Sequence, residues 1–300
     1  MPLLRLENDS LRLEVLPEAG ASIVTLAIRR EERWIPLMRA TPPEAIAKRN
    51  SSAMAAFVLA PFSNRLADAR FRFGGKTWQL EPNFAGGYAI HGCVRKRPWQ
   101  VLECTNTEIR LGFDSAAFPD PGFPFPFTTT LTYGLAANTM TAHIELSNRG
   151  ADSMPAGFGF HPYYERTLLD PDEEVELQMR ASGAYKGLAP QQAAAPLAAV
   201  QDFSARRALP EAGFDTCFAG WDGHAQLRWP GSDVTAEIDC DEPLRHIILF
   251  TPPGENFFAL EPVSNANNGF NLLADGIDGS GVVVLRADTS MAASFQIRVH

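Results

Sequence analysis

The feature that most constrains the fold is a repeated alternation of apolar and polar residues along short segments. In residues 139–146 apolar side chains stand at every second position, with polar side chains between them. A period of two places all the apolar side chains on one face of a β-strand, because successive side chains point to opposite faces of a sheet. The same alternation recurs at 11–15, 175–179, 234–239 and 295–299. The pattern therefore predicts strands that each pack one face against a core.

Helical patterns are scarce by comparison. Residues 42–49 (PPEAIAKR) are expected to form about two helical turns, and the alanine-rich stretch 188–200 is ambiguous. Strands do not alternate with helices along the chain, which disfavours a parallel sheet. With 45% hydrophobic residues, 300 residues are enough to bury a large core. We therefore predict an all-β protein: one large antiparallel β-sandwich that forms a single domain over residues 1–300.

Two shorter stretches have a distinct composition. Residues 71–80 (FRFGGKTWQL) resemble a β-hairpin, with two glycines between strand-forming segments. Residues 118–127 (FPDPGFPFPF) are dense in proline and glycine, as a domain linker would be, but linkers are seldom so rich in phenylalanine. We expect a packed surface loop that leads into a strand at 128–133.

The charge distribution excludes some classes of partner. The formal net charge is -9 and the pI is about 5.2, and the only dense basic run is Arg95-Lys96-Arg97. A nucleic-acid-binding surface normally has clustered lysine and arginine, so no nucleic-acid partner is expected. The longest apolar stretch, residues 54–62, is too short to span a bilayer, and residues 1–10 lack the apolar segment of a signal peptide. Four cysteines without a CxxC pair are consistent with reduced thiols. A soluble, cytoplasmic protein with no membrane partner is expected.

Four segments carry more reactive side chains than a plain sandwich needs: residues 60–65, 89–92, 157–164 and 257–265. Each places a histidine, arginine or glutamate at the end of an apolar run, beside a glycine or proline that ends the strand. A polar group at that position lies at the rim of a sheet, where it can face a cleft on a rigid scaffold.

Each of these residues also has a purely structural interpretation. A lone histidine beside glycine or proline is often a turn or core residue, and Glu261 could be a buried carboxylate paired with Arg65. His246 stays undecided, because it follows Arg245 at the start of an apolar strand. The remaining histidines are assigned to solvated or structural positions: His143, His224 and His300.

Several classes of active site lack their motifs. There is no HExxH, no His-x-His and no pair of histidines at helical spacing, so no metal is expected. The GxSxG elbow of serine hydrolases is absent, and no GxGxxG follows a strand. No cofactor is therefore predicted.

Taken together, the segments resemble the aldose 1-epimerase (galactose mutarotase-like) family. The resemblance runs from about Val15 to Val299. Each piece alone is weak, but all five occur in the family's order and at similar intervals. They are PFSNRLADARFRFGGKTWQL (61–80), IHG (90–92), GFGFHPYY (157–164), FDTCFAGWDG (214–223) and FALEPVSNANNGFNL (258–272).

The resemblance implies a fold and a set of roles. The family fold is a large antiparallel β-sandwich, a supersandwich, in agreement with the period-two pattern. By position, Glu261 matches the general base that takes the proton from the anomeric hydroxyl, and His161 matches the general acid that protonates the ring oxygen. The residues matched to sugar binding are Arg65, His91 and Asp215, with the adjacent Asn64 shaping the same wall.

The implied chemistry suits these residue types. Opening a cyclic hemiacetal removes the proton of O1 and adds a proton to O5, which a carboxylate and a protonated imidazole on opposite sides of the ring could do. Rotation about C1–C2 and closure then give the other anomer. For His161 to stay protonated near neutral pH it should lie close to an acidic group, and Glu261 or Asp215 could serve.

The chain departs from the family pattern at three places. Cys93 follows His-Gly where many members have a second glycine, residues 94–101 read VRKRPWQV, and residues 264–271 read SNANNGFN. These departures leave the acid and base intact but do not support galactose as the natural substrate. The expected partner is a monosaccharide, and the oligomeric state is left open.

Three alternatives to an epimerase that acts on a free aldose remain. The same chemistry could act on a hexose 6-phosphate, with Arg95, Lys96 and Arg97 holding the phosphate. A non-catalytic sugar-binding protein could keep the pocket for sensing, although a sensor has no need of the acid–base pair. A glycosidase using Glu261 would need a second carboxylate at a defined separation.

Overall fold

The computed structural model describes residues 3–300, which form two large antiparallel sheets and three two-stranded ones. The strands are β1 (Leu4–Glu7), β2 (Leu11–Leu16), β3 (Ser22–Arg30), β4 (Arg33–Pro36), β5 (Ala56–Leu59), β6 (Arg65–Leu66), β7 (Arg70–Phe73), β8 (Lys76–Gln79), β9 (Ala89–Ile90), β10 (Gln100–Cys104), β11 (Glu108–Asp114), β12 (Phe127–Ala136), β13 (Thr139–Asn148), β14 (Met154–Ala156), β15 (Gly159–Glu165), β16 (Glu176–Met179), β17 (Gly183–Ala184), β18 (Arg207–Ala208), β19 (Asp215–Ala219), β20 (His224–Trp229), β21 (Val234–Cys240), β22 (His246–Phe250), β23 (Phe257–Val263), β24 (Val283–Leu285) and β25 (Ser290–Val299).

Helices are few and short. The α-helices are α1 (Pro43–Ala47) and α2 (Gly269–Ala274). Single 3-10 turns occur at Pro17–Ala19, Ser51–Ala53, Ala67–Ala69, Val94–Lys96, Ser115–Ala117 and Ala199–Gln201.

The two large sheets form the layers of a sandwich. The ten-stranded sheet has the order β1-β2-β3-β5-β15-β23-β22-β19-β17, with β4 also paired to β3. The nine-stranded sheet has the order β10-β11-β12-β13-β25-β21-β20-β16-β18. The pairings within both sheets are antiparallel, for example β12 with β13 and β13 with β25. The all-β antiparallel sandwich predicted from the sequence is therefore confirmed.

The alternating segments become strands that bury one face. In β13 the burial alternates along the strand, with Met140, Ala142, Ile144 and Leu146 inside. The sheets meet through such side chains, and Phe160 of the ten-stranded sheet contacts Phe295 of the other with ring centroids 5.2 Å apart. This inter-sheet layer is the main hydrophobic core.

The centre of the ten-stranded sheet differs, because both of its faces are buried. Strands β5, β15 and β23 are buried along almost their whole length. One face packs into the inter-sheet core, and the other carries a second apolar cluster that includes Phe57, Tyr163 and Ile248. Loops and the short sheets cover that second face, and the polar cavity described below lies among them.

The helical and loop predictions had mixed outcomes. The helix predicted at 42–49 is present but shorter, at Pro43–Ala47. The ambiguous stretch 188–200 is irregular apart from the turn that begins at Ala199. Residues 70–79 form the β7–β8 hairpin. Residues 118–126 form an irregular loop that leads into β12, and Phe123 and Phe125 anchor it in the core.

Within residues 3–300, no helix is long and apolar enough to cross a membrane.

Candidate active site

His161 and Glu261 lie side by side on the outer face of the ten-stranded sheet. Phe57 of β5 pairs with His161 of β15, and the register between β15 and β23 sets His161 opposite Glu261. Nε2 of His161 is 3.2 Å from Oε1 of Glu261. The two predicted catalytic residues, 100 positions apart in the sequence, are thus brought into contact by strand pairing.

Burial sets the protonation of this pair. Both side chains are almost fully buried, at 5% exposure for His161 and 2% for Glu261. Burial and the neighbouring charge of Asp215 raise the pKa of Glu261 well above its usual value. The charge of Arg65 lowers this pKa but does not outweigh them. Burial, with Arg39 and Arg95 nearby, lowers the pKa of His161 well below its usual value.

One expectation about His161 therefore needs correction. The acidic neighbour is present as expected, but burial and the arginines outweigh it, so the pKa of His161 is lowered, not raised. The expected placement of the acid and the base on opposite sides of a sugar ring stays a prediction, because it depends on where a sugar binds. They stand next to each other on one sheet face, because neighbouring strands present directly opposed residues to the same side.

Arg65 and His91 come from two short strands above this face. β6 and β9 pair with each other, and the His91 N–H donates to the Asn64 carbonyl at 2.9 Å. Asn64 and His91 have left-handed backbone conformations, with φ of 51° and 63°. Residues other than glycine seldom adopt this conformation, and it clusters at functional sites. The unusual backbone conformations of Asn64 and His91 therefore help to position the side chains of Asn64 and His91.

Gly92 explains why glycine follows His91. Its φ is +63°, and a Cβ atom there would lie 1.8 Å from the carbonyl oxygen of Ala60. The backbones of Ala60 and Gly92 form a bridge, and the Cys93 N–H donates to the Ala60 carbonyl at 2.9 Å. This close approach holds the His91 loop against the end of β5.

Arg65, Asp215 and Asn64 form one polar wall. Nη2 of Arg65 donates to Oδ2 of Asp215 at 3.0 Å, and its Nη1 donates to Oδ1 of Asn64 at 3.0 Å. The structural pairing of Arg65 with Glu261 considered from the sequence is not the one observed, since the arginine bonds Asp215.

His91 completes the ring of polar groups around the pair. Its ring lies edge-on to that of His161, with centroids 5.1 Å apart. Burial, together with the charges of His161, Arg95 and Arg65, lowers the pKa of His91 well below its usual value. A neutral imidazole has one donor and one acceptor nitrogen, which suits contact with a hydroxyl group.

These residues line one cavity of about 170 Å³. Five buried polar atoms of its lining residues have no hydrogen-bond partner among residues 3–300: Nδ1 of His91, Nδ1 of His161, Nε of Arg65, Nε of Arg95 and Oε2 of Glu261. Buried polar atoms are usually satisfied, so such a group is typical of a ligand site. The lining comprises all six predicted site residues, Asn64, Arg65, His91, His161, Asp215 and Glu261, together with Ser52, Phe57, Phe84, Ile90, Arg95, Tyr163 and Phe250.

The basic run of residues 95–97 divides at this cavity. Arg95 is 5% exposed and lines it, whereas Lys96 is exposed and neither Lys96 nor Arg97 is part of its lining. Arg95 and Lys96 lie in the 3-10 turn Val94–Lys96, and Arg97 follows it with an extended backbone. All three residues line a neighbouring cavity of about 480 Å³, so the joint grip on a phosphate considered from the sequence stays a prediction.

Four aromatic residues of the lining were not identified from the sequence: Phe57, Phe84, Tyr163 and Phe250. Phe57 stacks on the His161 ring with centroids 4.5 Å apart, and the Tyr163 ring lies 4.5 Å from that of His161. Tyr163 follows His161 by two positions on the same strand, so a period of two already places it on the same face. Phe57 had no comparable signal, because its contact depends on the pairing of β5 with β15.

The histidines outside the site have ordinary structural roles. His246 is buried, and its Nε2 lies 2.9 Å from the Gly279 carbonyl. The exposed ones pair with polar neighbours: His143 with Ser294, His224 with Asp239, and His300 with Glu237. All four cysteines are free of disulfides. No group of three His, Cys, Asp or Glu side chains within residues 3–300 is arranged to hold a metal ion.

The fold and the site define a class: a large antiparallel β-sandwich with a buried histidine–carboxylate pair in a small polar cavity. The aldose 1-epimerase family model matches residues 2–298. The chain belongs to the aldose 1-epimerase family, as the sequence segments had suggested.

Two curated proteins are similar to this chain in sequence. The uncharacterized protein YphB from Escherichia coli K12 is 27% identical over 316 residues, covering 100% of this chain and 99% of YphB. The uncharacterized protein YihR from the same organism is 36% identical over 132 residues, 43% of this chain and 41% of YihR.

Solved structures confirm the fold. A galactose mutarotase-like protein from Clostridium acetobutylicum superposes with a TM-score of 0.85 at 17% identity, covering 99% of this chain and 94% of that one. Galactose 1-epimerase from Lactobacillus acidophilus NCFM gives a TM-score of 0.76 at 17% identity, with 99% and 93% covered. At these identities the likeness concerns the fold alone.

Proposed function

We propose that the protein is an aldose 1-epimerase that interconverts the α and β anomers of a monosaccharide. The observation that carries the proposal is the contact of 3.2 Å between Nε2 of His161 and Oε1 of Glu261 in the polar cavity. The two oxygens that exchange protons in the reaction, O1 and the ring oxygen O5, are bonded to the same carbon. An acid and a base that stand side by side can therefore reach both oxygens of one sugar.

In the proposed reaction, Glu261 takes the proton of O1 as His161 donates a proton to O5. The C1–O5 bond breaks and C1 becomes a carbonyl carbon. Rotation about C1–C2 presents the other face of the carbonyl to the O5 hydroxyl. Closure then returns the proton of O5 to His161, and O1 takes the proton from Glu261. The protein ends in its starting protonation state, and no electrons are gained or lost.

The pair needs one proton in total, carried by His161 when ring opening begins. Burial favours the uncharged arrangement, in which the proton is on Glu261. Transfer of that proton across the 3.2 Å contact gives the imidazolium and the carboxylate without exchange with solvent. Arg65 favours the carboxylate, since its charge lowers the pKa of Glu261.

The surrounding groups hold the sugar. The Arg65–Asp215 pair presents donors and acceptors to ring hydroxyls, and neutral His91 adds a further nitrogen beside His161. Asn64 fixes the Arg65 guanidinium through Oδ1. Positioned proton transfer is most effective when the reacting atoms are held in this way.

Anomeric exchange by NMR tests the proposal. Exchange between α and β signals is followed for several aldoses with and without protein. Glu261→Gln and His161→Asn should each lower the acceleration by about 10²–10⁴-fold, the usual contribution of a positioned acid or base. His143→Asn is the matched control, because His143 is exposed on the other sheet. It should leave the rate unchanged.

Two results would contradict the proposal. If no aldose exchanges faster with the protein, the enzymatic function is wrong, and sugar binding without exchange would then favour the sensor alternative. If the acceleration survives both site variants, the roles of Glu261 and His161 are wrong.

A further inference from the structure

Phe84 is an aromatic side chain on the open side of the cavity that the proposed reaction does not use. It is 48% exposed, whereas Phe57 and Tyr163 of the same lining are buried. Single exposed apolar side chains are common on protein surfaces, so the meaning of this one depends on its position. Phe84 lines the cavity together with Arg65 and His91, two residues assigned to sugar binding.

Hydrogen bonds hold the backbone of Phe84 at this place. The N–H groups of Asn83 and Phe84 both donate to the Tyr88 carbonyl, at 3.0 and 3.2 Å. The Asn83 side chain accepts from the Ile90 N–H at 2.7 Å and donates to the Ile90 carbonyl at 3.2 Å. Because Ile90 directly precedes His91, the loop that carries Phe84 is fixed to the strand that leads into the site.

The Phe84 ring borders the space beside the polar wall. The guanidinium carbon of Arg65 lies over this ring, 5.3 Å from its centroid, and the same guanidinium bonds Asp215. In the proposed function, Arg65 and Asp215 hold ring hydroxyls, so a sugar held there lies against Phe84. The two faces of a pyranose ring carry C–H groups, and the face of an aromatic ring is electron-rich, so the two surfaces pack well on each other.

We propose that Phe84 binds one C–H face of the pyranose ring of the substrate and thereby selects among epimeric sugars. The inference rests on the proposed epimerase function and adds a specificity-determining residue to it. In the chair form of glucose, the axial hydrogens of C3 and C5 lie on one face and those of C2 and C4 on the other. An axial hydroxyl on the face that Phe84 covers would hold the ring away from it. Allose has such a hydroxyl on the first face, at C3, and mannose and galactose have one on the second, at C2 and C4.

Variants of Phe84 test the contact. Phe84→Ala should raise KM about tenfold for the best substrate among these four sugars, the usual effect of uncovering half of a phenylalanine side chain. The kcat should change little, because the contact is present before and during ring opening. Phe84→Tyr keeps the ring and should keep KM near the wild-type value. NMR anomeric exchange at several sugar concentrations measures both constants.

Leu102→Ala is the matched control for this truncation. Leu102 is 45% exposed, close to the value for Phe84, but lies in β10 of the other large sheet and outside the cavity. It should leave KM and kcat unchanged. An unchanged KM in Phe84→Ala, a loss of kcat alone, or a Phe84→Tyr variant as impaired as Phe84→Ala would overturn the proposal.

The four sugars test the selection among epimers. For each sugar, kcat/KM of the wild type is divided by that of Phe84→Ala, so that contacts of the hydroxyls with other residues largely cancel. If Phe84 covers the face of C3 and C5, this ratio should be smaller for allose than for glucose. If it covers the face of C2 and C4, the ratio should be smaller for mannose and galactose. The same ratio for all four sugars would overturn selection by ring face.

The outcomes separate this inference from the proposed function. If Glu261→Gln and His161→Asn abolish exchange while Phe84→Ala changes nothing, the epimerase stands and the role of Phe84 is wrong. If no aldose exchanges with the wild type, the epimerase function fails, and saturation-transfer NMR with glucose decides the contact alone. Transfer concentrated on the C–H groups of one ring face and lost in Phe84→Ala would support it. Transfer that is absent, or that is the same in wild type and variant, would overturn it.

Discussion

At the scale of single residues, unusual backbone conformations are found at the site. Asn64, His91 and Gly92 all have positive φ, and all lie where the loops from β6 and β9 meet the sheet. Such conformations cost about 1–3 kcal/mol each and persist when the surrounding structure enforces them. Here the bridge between Ala60 and Gly92 does so, and its effect is to hold His91 beside His161.

Replacing Gly92 should therefore damage both stability and activity. In Gly92→Ala the alanine would need a positive φ, and its methyl group would clash with the Ala60 carbonyl. The loop must therefore move. We expect a loss of at least about 2 kcal/mol in the free energy of unfolding and a strong fall in kcat/KM. Urea unfolding and the NMR exchange assay measure the two effects.

Gly74→Ala is the matched control for this change. Gly74 has φ +60° but has no atom within 4 Å of its would-be Cβ, in the β7–β8 hairpin. It should lose only about 1 kcal/mol, the cost of the backbone conformation, and keep full activity. Equal effects of the two variants would show that the contact with Ala60 is unimportant.

At the scale of elements, β15 carries two different functions on its two faces. Phe160 points into the inter-sheet core against Phe295, and His161 points into the cavity. Burial on both faces explains why this segment reads GFGFHPYY instead of alternating apolar and polar residues. The lack of alternation in this segment is thus explained by a strand with one face in the core and the other in the site.

Truncation on the two faces of this sheet region should have separate effects. Phe160→Ala removes a buried ring from the core and should lower the free energy of unfolding by about 3–5 kcal/mol, with kcat/KM of the folded protein nearly unchanged. Phe57→Ala removes the ring stacked on His161 and should lower kcat/KM strongly as well. Chemical denaturation and the exchange assay measure both. A large kinetic effect of Phe160→Ala at a temperature where it is folded would contradict this division.

At the scale of the whole molecule, the main core contains residues from Leu6 to Val299 and from both large sheets. That continuity supports the prediction of a single domain over residues 1–300, which stays a prediction. The expected location in the cytoplasm also stays a prediction.

The buried histidines link the stability of the whole molecule to pH. Burial lowers the pKa of His91, His161 and His246, so in the unfolded chain each takes up a proton below about pH 6.5 that it resists in the fold. Their stability contribution is present above that pH and is lost as the pH falls. Glu261 acts in the opposite direction, because its raised pKa lets the folded protein bind a proton first.

We therefore expect the free energy of unfolding to fall between pH 7.5 and pH 5.5. His246→Gln should make the fall shallower, by up to about 1.4 kcal/mol per pH unit below pH 6.5. His143→Gln, at an exposed position, is the control and should leave the slope unchanged. Urea denaturation at several pH values measures the slopes. A steeper slope in the His246 variant would contradict this linkage.

Much of the fold and of the residue set could be predicted from the sequence. The period of two in segments such as 139–146 predicts strands because it depends only on the local geometry of the chain. The five family segments identified six polar residues that line the cavity, since their residue types and order are written directly in the chain. The family and the antiparallel sandwich were confirmed on this basis.

Only the tertiary structure decided how these residues meet. That His161 and Glu261 stand side by side depends on the register of β15 with β23, a pairing across 100 positions of sequence that no local pattern encodes. The lowered pKa of His161 depends on burial and on arginines from other segments. The burial of Arg95 beside an exposed Lys96 depends on how one turn packs against the rest of the protein. The contact between His161 and Glu261 and the burial of the site residues arise from long-range packing. The period-two pattern makes this packing possible but does not specify it.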